Sequence, residues 1–139
     1  MICRVILLVG LVLLGLGLFG KVAVIANKSV PMEKIKKSEL LDFYTGDIHL
    51  LDNGEPVAVF DLKPKGRVRE VFYKFLGKSS SRMKSIWMKK MLSGESEPPE
   101  SVNSEEELVK RVASTRGAIG FVSYARVSED VKVLLVIEE

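Results

Sequence analysis

Four short runs in this chain are apolar on both faces of an extended strand. They are Lys21–Ala26 after its first residue, Pro56–Leu62, Ala118–Val122 and Val131–Ile137. A strand with one wet face alternates apolar and polar residues. These runs do not, so both faces of the sheet they build must be covered. The segments between them carry helical rather than twofold spacing. The expected architecture is therefore α/β, with helices flanking a mixed or mostly parallel sheet. The predicted order is β-α-(ββ)-α-α-α-β-β.

The helical segments have readable ends. Ser38–Tyr44 is a short helix with Ser38 as its expected N-cap and Gly46 as its stop. Asp52-Asn53-Gly54-Glu55 is a turn that joins Ile48–Leu51 to the strand at Pro56–Leu62 in a hairpin-like excursion. Val68, Val71, Phe72, Phe75 and Leu76 recur at helical spacing over Arg67–Leu76, with Gly77 beyond. Ser79–Ser81 offers N-caps for a helix over Arg82–Leu92, whose Met83, Ile86, Trp87, Met91 and Leu92 form an apolar side opposite Lys84, Lys89 and Lys90. Ser93–Val102 reads as a polar loop. Ser104 with Glu107 forms a capping box, and the Glu105–Glu107 trio suits the positive helix end better than a metal or acid-base site.

The first twenty residues differ from the rest. Arg4 precedes an unbroken apolar run that ends at Gly20. A basic start, an apolar core and a small residue form a secretory signal peptide, cut near Gly20. The alternative is an uncleaved N-terminal anchor, although the run of about 16 residues is shorter than the roughly 20 of a full span. Either way, residues 21–139 form one domain expected in the periplasm or secreted. Its single cysteine, Cys3, lies before the apolar run, so the body has no disulfide or thiolate chemistry. The single histidine, His49, cannot assemble a common zinc site. A net charge of +3 is spread among acidic residues without interleaved aromatics, which gives no nucleic-acid signature. No catalytic set is visible, and no cofactor or metal is expected.

One basic stretch remains. Phe60–Leu76 reads as a strand end, a loop Lys63-Pro64-Lys65-Gly66 and a helix start carrying Arg67 and Arg69. The first N–H groups of a helix are unpaired and sit at its positive end, so this is a place for an anion.

The order of VIANKSVP, SELLDFYTG, DNGEPVAVFDL, RVREVFYKFLGKS, IWMKKMLSG and SEEELVKRVASTRGAIGFVSY resembles the short phosphate-binding-protein-like family. These are small secreted proteins related to the substrate-binding component of phosphate ABC transporters. Arg69–Tyr73, the Trp87 helix and Gly117–Phe121 carry the resemblance most specifically, and it runs from about Val22 to the C-terminus. It implies a single lobe of a type II periplasmic binding fold. In the transporter proteins an Arg-x-Asp-Gly-Ser-Gly-Thr element before a helix helps to hold phosphate. Here Leu62 stands at its arginine and Gly66-Arg67-Val68 at its Ser-Gly-Thr, so the hydroxyl donors are missing. Leu51 also stands where the family often has tryptophan.

The resemblance implies a non-enzymatic solute-binding protein in an accessory or sensing role. Its ligand would be phosphate or another small anion, faced by Ser29, Lys65, Gly66, Arg67 and Arg69. The alternative is an interaction module that has lost its ligand and meets an envelope protein or a second copy of itself.

Overall fold

The computed structural model of the protein describes residues 20–138. The twenty-residue leader or anchor expected at the N-terminus falls, up to residue 19, outside the described residues. Five strands form one sheet: β1 (Val22–Ala26), β2 (Ala58–Leu62), β3 (Glu100–Val102), β4 (Ala118–Ser123) and β5 (Lys132–Ile137). Four helices are described: α1 (Lys37–Thr45), α2 (Arg67–Leu76), α3 (Ser80–Leu92) and α4 (Glu105–Ser114). The sheet order is β3-β2-β4-β1-β5. β2 is parallel to both β3 and β4, whereas β1 is antiparallel to both β4 and β5. The sheet is therefore mixed and α/β, as the doubly apolar strands require.

Adjacent residues of one strand face opposite sides of a sheet. Gly120 and Phe121 on β4 show what covers each side. A Cβ placed on Gly120 would come within 2.6 Å of Leu108 Cδ2 and 3.1 Å of Val112 Cγ2, so α4 lies directly against that face. The Phe121 ring stacks on Phe72 of α2 at 3.8 Å between centroids, so α2 covers the other face. Tyr44 of α1 packs edge-on to Phe72 at 4.8 Å and donates a 2.7 Å hydrogen bond to the Phe60 carbonyl. α3 lies outside α1, where Trp87 Nε1 donates to the Tyr44 carbonyl at 2.7 Å. All five residues of β1 are fully buried, as expected for the middle of the sheet.

Local chemistry corrects some of the predicted boundaries. Ser38 is not a cap. α1 starts one residue earlier, and the Glu39 carboxylate accepts from the Lys36 N–H at 3.3 Å in place of a serine hydroxyl. α3 starts at Ser80, and Ser79 Oγ accepts from the Arg82 N–H at 3.1 Å. Glu100–Val102, expected as loop, is a strand paired with Phe60–Leu62. Its Glu-Ser-Val sequence has no apolar period because only Val102 is buried. The β2 edge supplies the order. The hairpin-like excursion is present as a Leu50–Pro56 bridge, with Leu51 N–H donating to Glu55 O at 2.8 Å.

One buried polar pair fixes α2 on the sheet. Asp61 on β2 and Arg69 in the first turns of α2 are 2% and 7% exposed, and their charged groups meet at 3.3 Å. Arg69 Nη1 also donates to Ser80 Oγ at 2.9 Å, and its guanidinium lies 4.9 Å from the Tyr73 ring centre. Burial, then the Asp61 charge, pushes the Tyr73 hydroxyl well above its ordinary pKa. A second, exposed pair joins α3 to the end of α1. The Lys90 ammonium hydrogen-bonds the Asp47 carboxylate and lowers its pKa.

Three stability results follow. Arg69→Ala leaves the Asp61 charge buried and alone, so it should cost about 3–5 kcal/mol in urea unfolding, and Asp61→Leu added to Arg69→Met should recover most of the loss. Gly120→Val should cost about 1–3 kcal/mol by the same measurement, since α4 would have to move away from β4. Asp47→Asn should cost no more than about 0.5 kcal/mol at neutral pH, because the carboxylate is largely in water. A carboxyl whose folded pKa is depressed stabilises above its unfolded pKa of about 3.9, and this is lost as pH falls through the folded value. The difference between Asp47→Asn and wild type should therefore close in acid.

Candidate functional site

The loop Lys63–Gly66 leaves the carboxyl end of β2 and turns into α2. Lys63 N–H donates to the Val102 carbonyl at 2.8 Å, which carries the β2–β3 pairing one step past the strand. β3, β2 and β4 are parallel, so their carboxyl ends share this edge of the sheet. α2 and α4 both begin here. Such an edge is where open α/β sheets take ligands, because helix N–H groups converge there. A shallow cavity of about 330 Å³ lies on it, lined by Leu62, Pro64, Lys65, Gly66, Arg67, Ser104 and Glu105 among others.

The two helix starts are not equivalent. At α4, Ser104 Oγ accepts from the Glu107 N–H at 3.1 Å as the expected N-cap, whereas the Glu107 carboxylate accepts from the Asn103 N–H, also at 3.1 Å, rather than from Ser104, so the return half of the expected capping box is displaced by one residue. At α2 the N-cap is Gly66, and no side chain caps the helix. Gly66 has φ 171°, extended backbone that any residue adopts, and a Cβ there would meet nothing within 4 Å. Glycine is therefore not needed for the turn. What it leaves is an uncovered approach to the first N–H groups of α2.

The charges around the cavity oppose one another. Lys63 and Lys65 are exposed on the loop. Arg67 Nη2 donates to the Gly20 carbonyl at 2.6 Å, so it also ties the start of the described chain to α2. On the far rim, the Glu105 carboxylate accepts from the Ser123 N–H at 2.5 Å. A bound anion would gain from Lys65 and the helix end and lose from Glu105.

The predicted site residues divide into three groups. Lys65, Gly66 and Arg67 come together on the cavity. Arg69 borders it, but its guanidinium is turned into the Asp61, Ser80 and Tyr73 cluster. Ser29 is elsewhere. Its hydroxyl accepts from the Gly117 N–H at 3.0 Å, next to the start of β4, while Asn27 Nδ2 donates to the Val112 and Ala113 carbonyls at the end of α4. Ala118 pairs with Ala58, so this turn lies beside the beginning of β2. The basic loop lies beyond its other end, about 13 Å along the strand.

Ser104 and Glu105 were not expected on the rim; nothing in the sequence brings the start of α4 to the same sheet edge as the start of α2. Arg69 could have been read correctly. Phe72, Tyr73 and Leu76 follow it at i+3, i+4 and i+7 on the buried side, and Asp61 is the one charge in an apolar strand. Among the described residues no group of three or more His, Cys, Asp and Glu could hold a metal, and no helix is long and apolar enough to cross a membrane.

No protein-family model matches this sequence, and no curated protein matches it. Solved structures do. The chain is similar to an ABC-type phosphate transport receptor from Vibrio cholerae, with 20% identity and a TM-score of 0.66 over 84% of this chain and 46% of that one. A putative phosphate ABC transporter substrate-binding protein with bound phosphate from Clostridium perfringens gives 17%, 0.68, 84% and 45% in the same terms. A possible phosphate binding protein from Planctomyces limnophilus gives 16%, 0.60, 84% and 42%. This chain thus spans less than half the length of each of these proteins. It has the fold of a single lobe of the phosphate ABC transporter substrate-binding proteins.

Proposed function

We propose that the protein is a non-enzymatic binding protein, secreted or periplasmic, that takes phosphate or another small oxyanion in an accessory or sensing role. The observation that carries this is the uncapped start of α2, open beside Lys65 and Gly66 at the carboxyl ends of three parallel strands. It sits in a lobe shaped like those of phosphate-binding proteins. The ligand would accept from the first N–H groups of α2, with Lys65 and Arg67 as counter-charges. Arg69 would hold the helix in place from below, and Ser29 would take no direct part. The side chains are charged rather than a cage of neutral donors, and only one lobe is present. Binding would therefore be weak and poorly selective.

A second reading rests on Glu105. A carboxylate on the rim disfavours an anion, and a lobe without its other half leaves this edge open. In this reading the edge meets an envelope protein or a second copy of the chain.

Titration calorimetry of the protein with phosphate and with sulfate separates the two. The expected result is millimolar binding of both, weakened about fivefold in Lys65→Ala, the value of one exposed charge contact. Glu105→Gln should tighten it. The absence of heat and of any melting shift with either anion would refute anion binding. Self-association in light scattering, lost in a Lys65→Glu variant, would instead support the interaction reading.

A further inference from the structure

The outward side of α3 is unlike the other helix faces among the described residues. Ser81, Ser85, Met88 and Leu92 recur at i, i+4, i+7 and i+11, which places them along one ridge of the helix. All four are exposed. Met88 is 54% and Leu92 79% exposed, the latter the most exposed large apolar residue among the described residues. Arg82 and Lys89 flank the ridge on one side and Lys84 on the other. α3 contains no acidic residue. The side chains of Arg82, Lys84 and Lys89 make no hydrogen bond or ion pair with a described residue. Only Met83 of the helix is fully buried, with Ile86 and Trp87 half-buried against the core.

We infer that this face of α3 is a contact surface for an anionic lipid bilayer. A core-packing role does not explain Met88 and Leu92, because they point away from the core. A merely solvated basic face does not explain them either, since two large apolar side chains then stand in water between cations. The arrangement fits a membrane surface. The apolar ridge enters the headgroup boundary, and the basic residues on both flanks reach lipid phosphates while their stems lie along the acyl region. The cavity of about 580 Å³ beside the ridge is bordered by Lys78, Arg82 and Lys89, and on its far side by Glu95 and by Asp47 with its partner Lys90, so room for a headgroup lies on the Arg82–Lys89 side only. Charge complementarity selects anionic over neutral lipid, because each cation near such a surface adds attraction that salt screens. This assignment does not rest on the anion site at α2.

The test uses the full chain with Cys3→Ser and Met88→Cys, labelled at 88 with an environment-sensitive dye. It is mixed with vesicles of phosphatidylcholine alone or with added phosphatidylglycerol. The apolar N-terminal segment can hold the chain on both, so the dye, not co-sedimentation, is the readout. The expected result is a blue shift on the phosphatidylglycerol vesicles only, reversed by high salt. Lys84→Gln should raise the phosphatidylglycerol needed, equivalent to about fivefold weaker surface binding. Lys84→Glu with Lys89→Glu should abolish the shift while circular dichroism stays unchanged. Equal shifts on the two vesicle types, no shift on either, or a shift that survives charge reversal would overturn the inference. So would a shift that grows with protein concentration alone, which would put a second copy on this face, or an equal shift with an acidic protein.

Discussion

The Asp61–Arg69 pair is the interaction on which the position of α2 depends. Asp61 belongs to β2 and Arg69 to the helix that follows it after four loop residues, so their contact sets the angle at which the chain leaves the sheet. Arg69 reaches Ser80 as well, which brings the start of α3 into the same cluster. A buried pair gives little net stability, since desolvation offsets most of the attraction. Its value here is in geometry: any other placement of α2 would leave two charges buried without partners. The aromatic stack of Phe72 on Phe121 then closes over a helix whose position is already determined.

Much of the fold could be read from the residues because burial on both faces leaves no alternative pattern. β1, β2 and β5 fall within the expected runs, β4 runs one residue past its run to Ser123, and the spacing of Val68 to Leu76 gives α2 its limits. β3 could not be read, because an edge strand of three residues with one buried side chain takes its order from its neighbour. The start of α1 was misplaced because a glutamate in the first turn replaces the serine that usually signals a cap. At the site, the basic loop and Gly66 were legible as a helix start near a strand end. Ser29 was not distinguishable from a ligand group, since a hydroxyl after a strand looks the same whether it meets a ligand or, as here, the Gly117 N–H.

The resemblance and the fold agree on one lobe, and that has a physical cost. An ion enclosed by two lobes is removed from water, where hydrogen bonds strengthen as the local dielectric falls. At the edge of a single lobe, water would compete with any anion for every donor of α2, and Glu105 would subtract from what remains. Charge on Lys65 and Arg67 would compensate at long range but discriminate poorly between anions of similar size.

The order of the strands has a further consequence. β1, among the first residues of the described chain, lies between β4 and β5, the last two strands. Neither partner exists until nearly all of the sequence has been synthesised. The centre of the sheet is thus made from contacts of the longest sequence separation, which form slowly and late. Until β4 emerges from the ribosome, β1 has no neighbour in the sheet, so a wholly apolar strand stays unpaired through most of synthesis, the condition in which strands of different copies can pair.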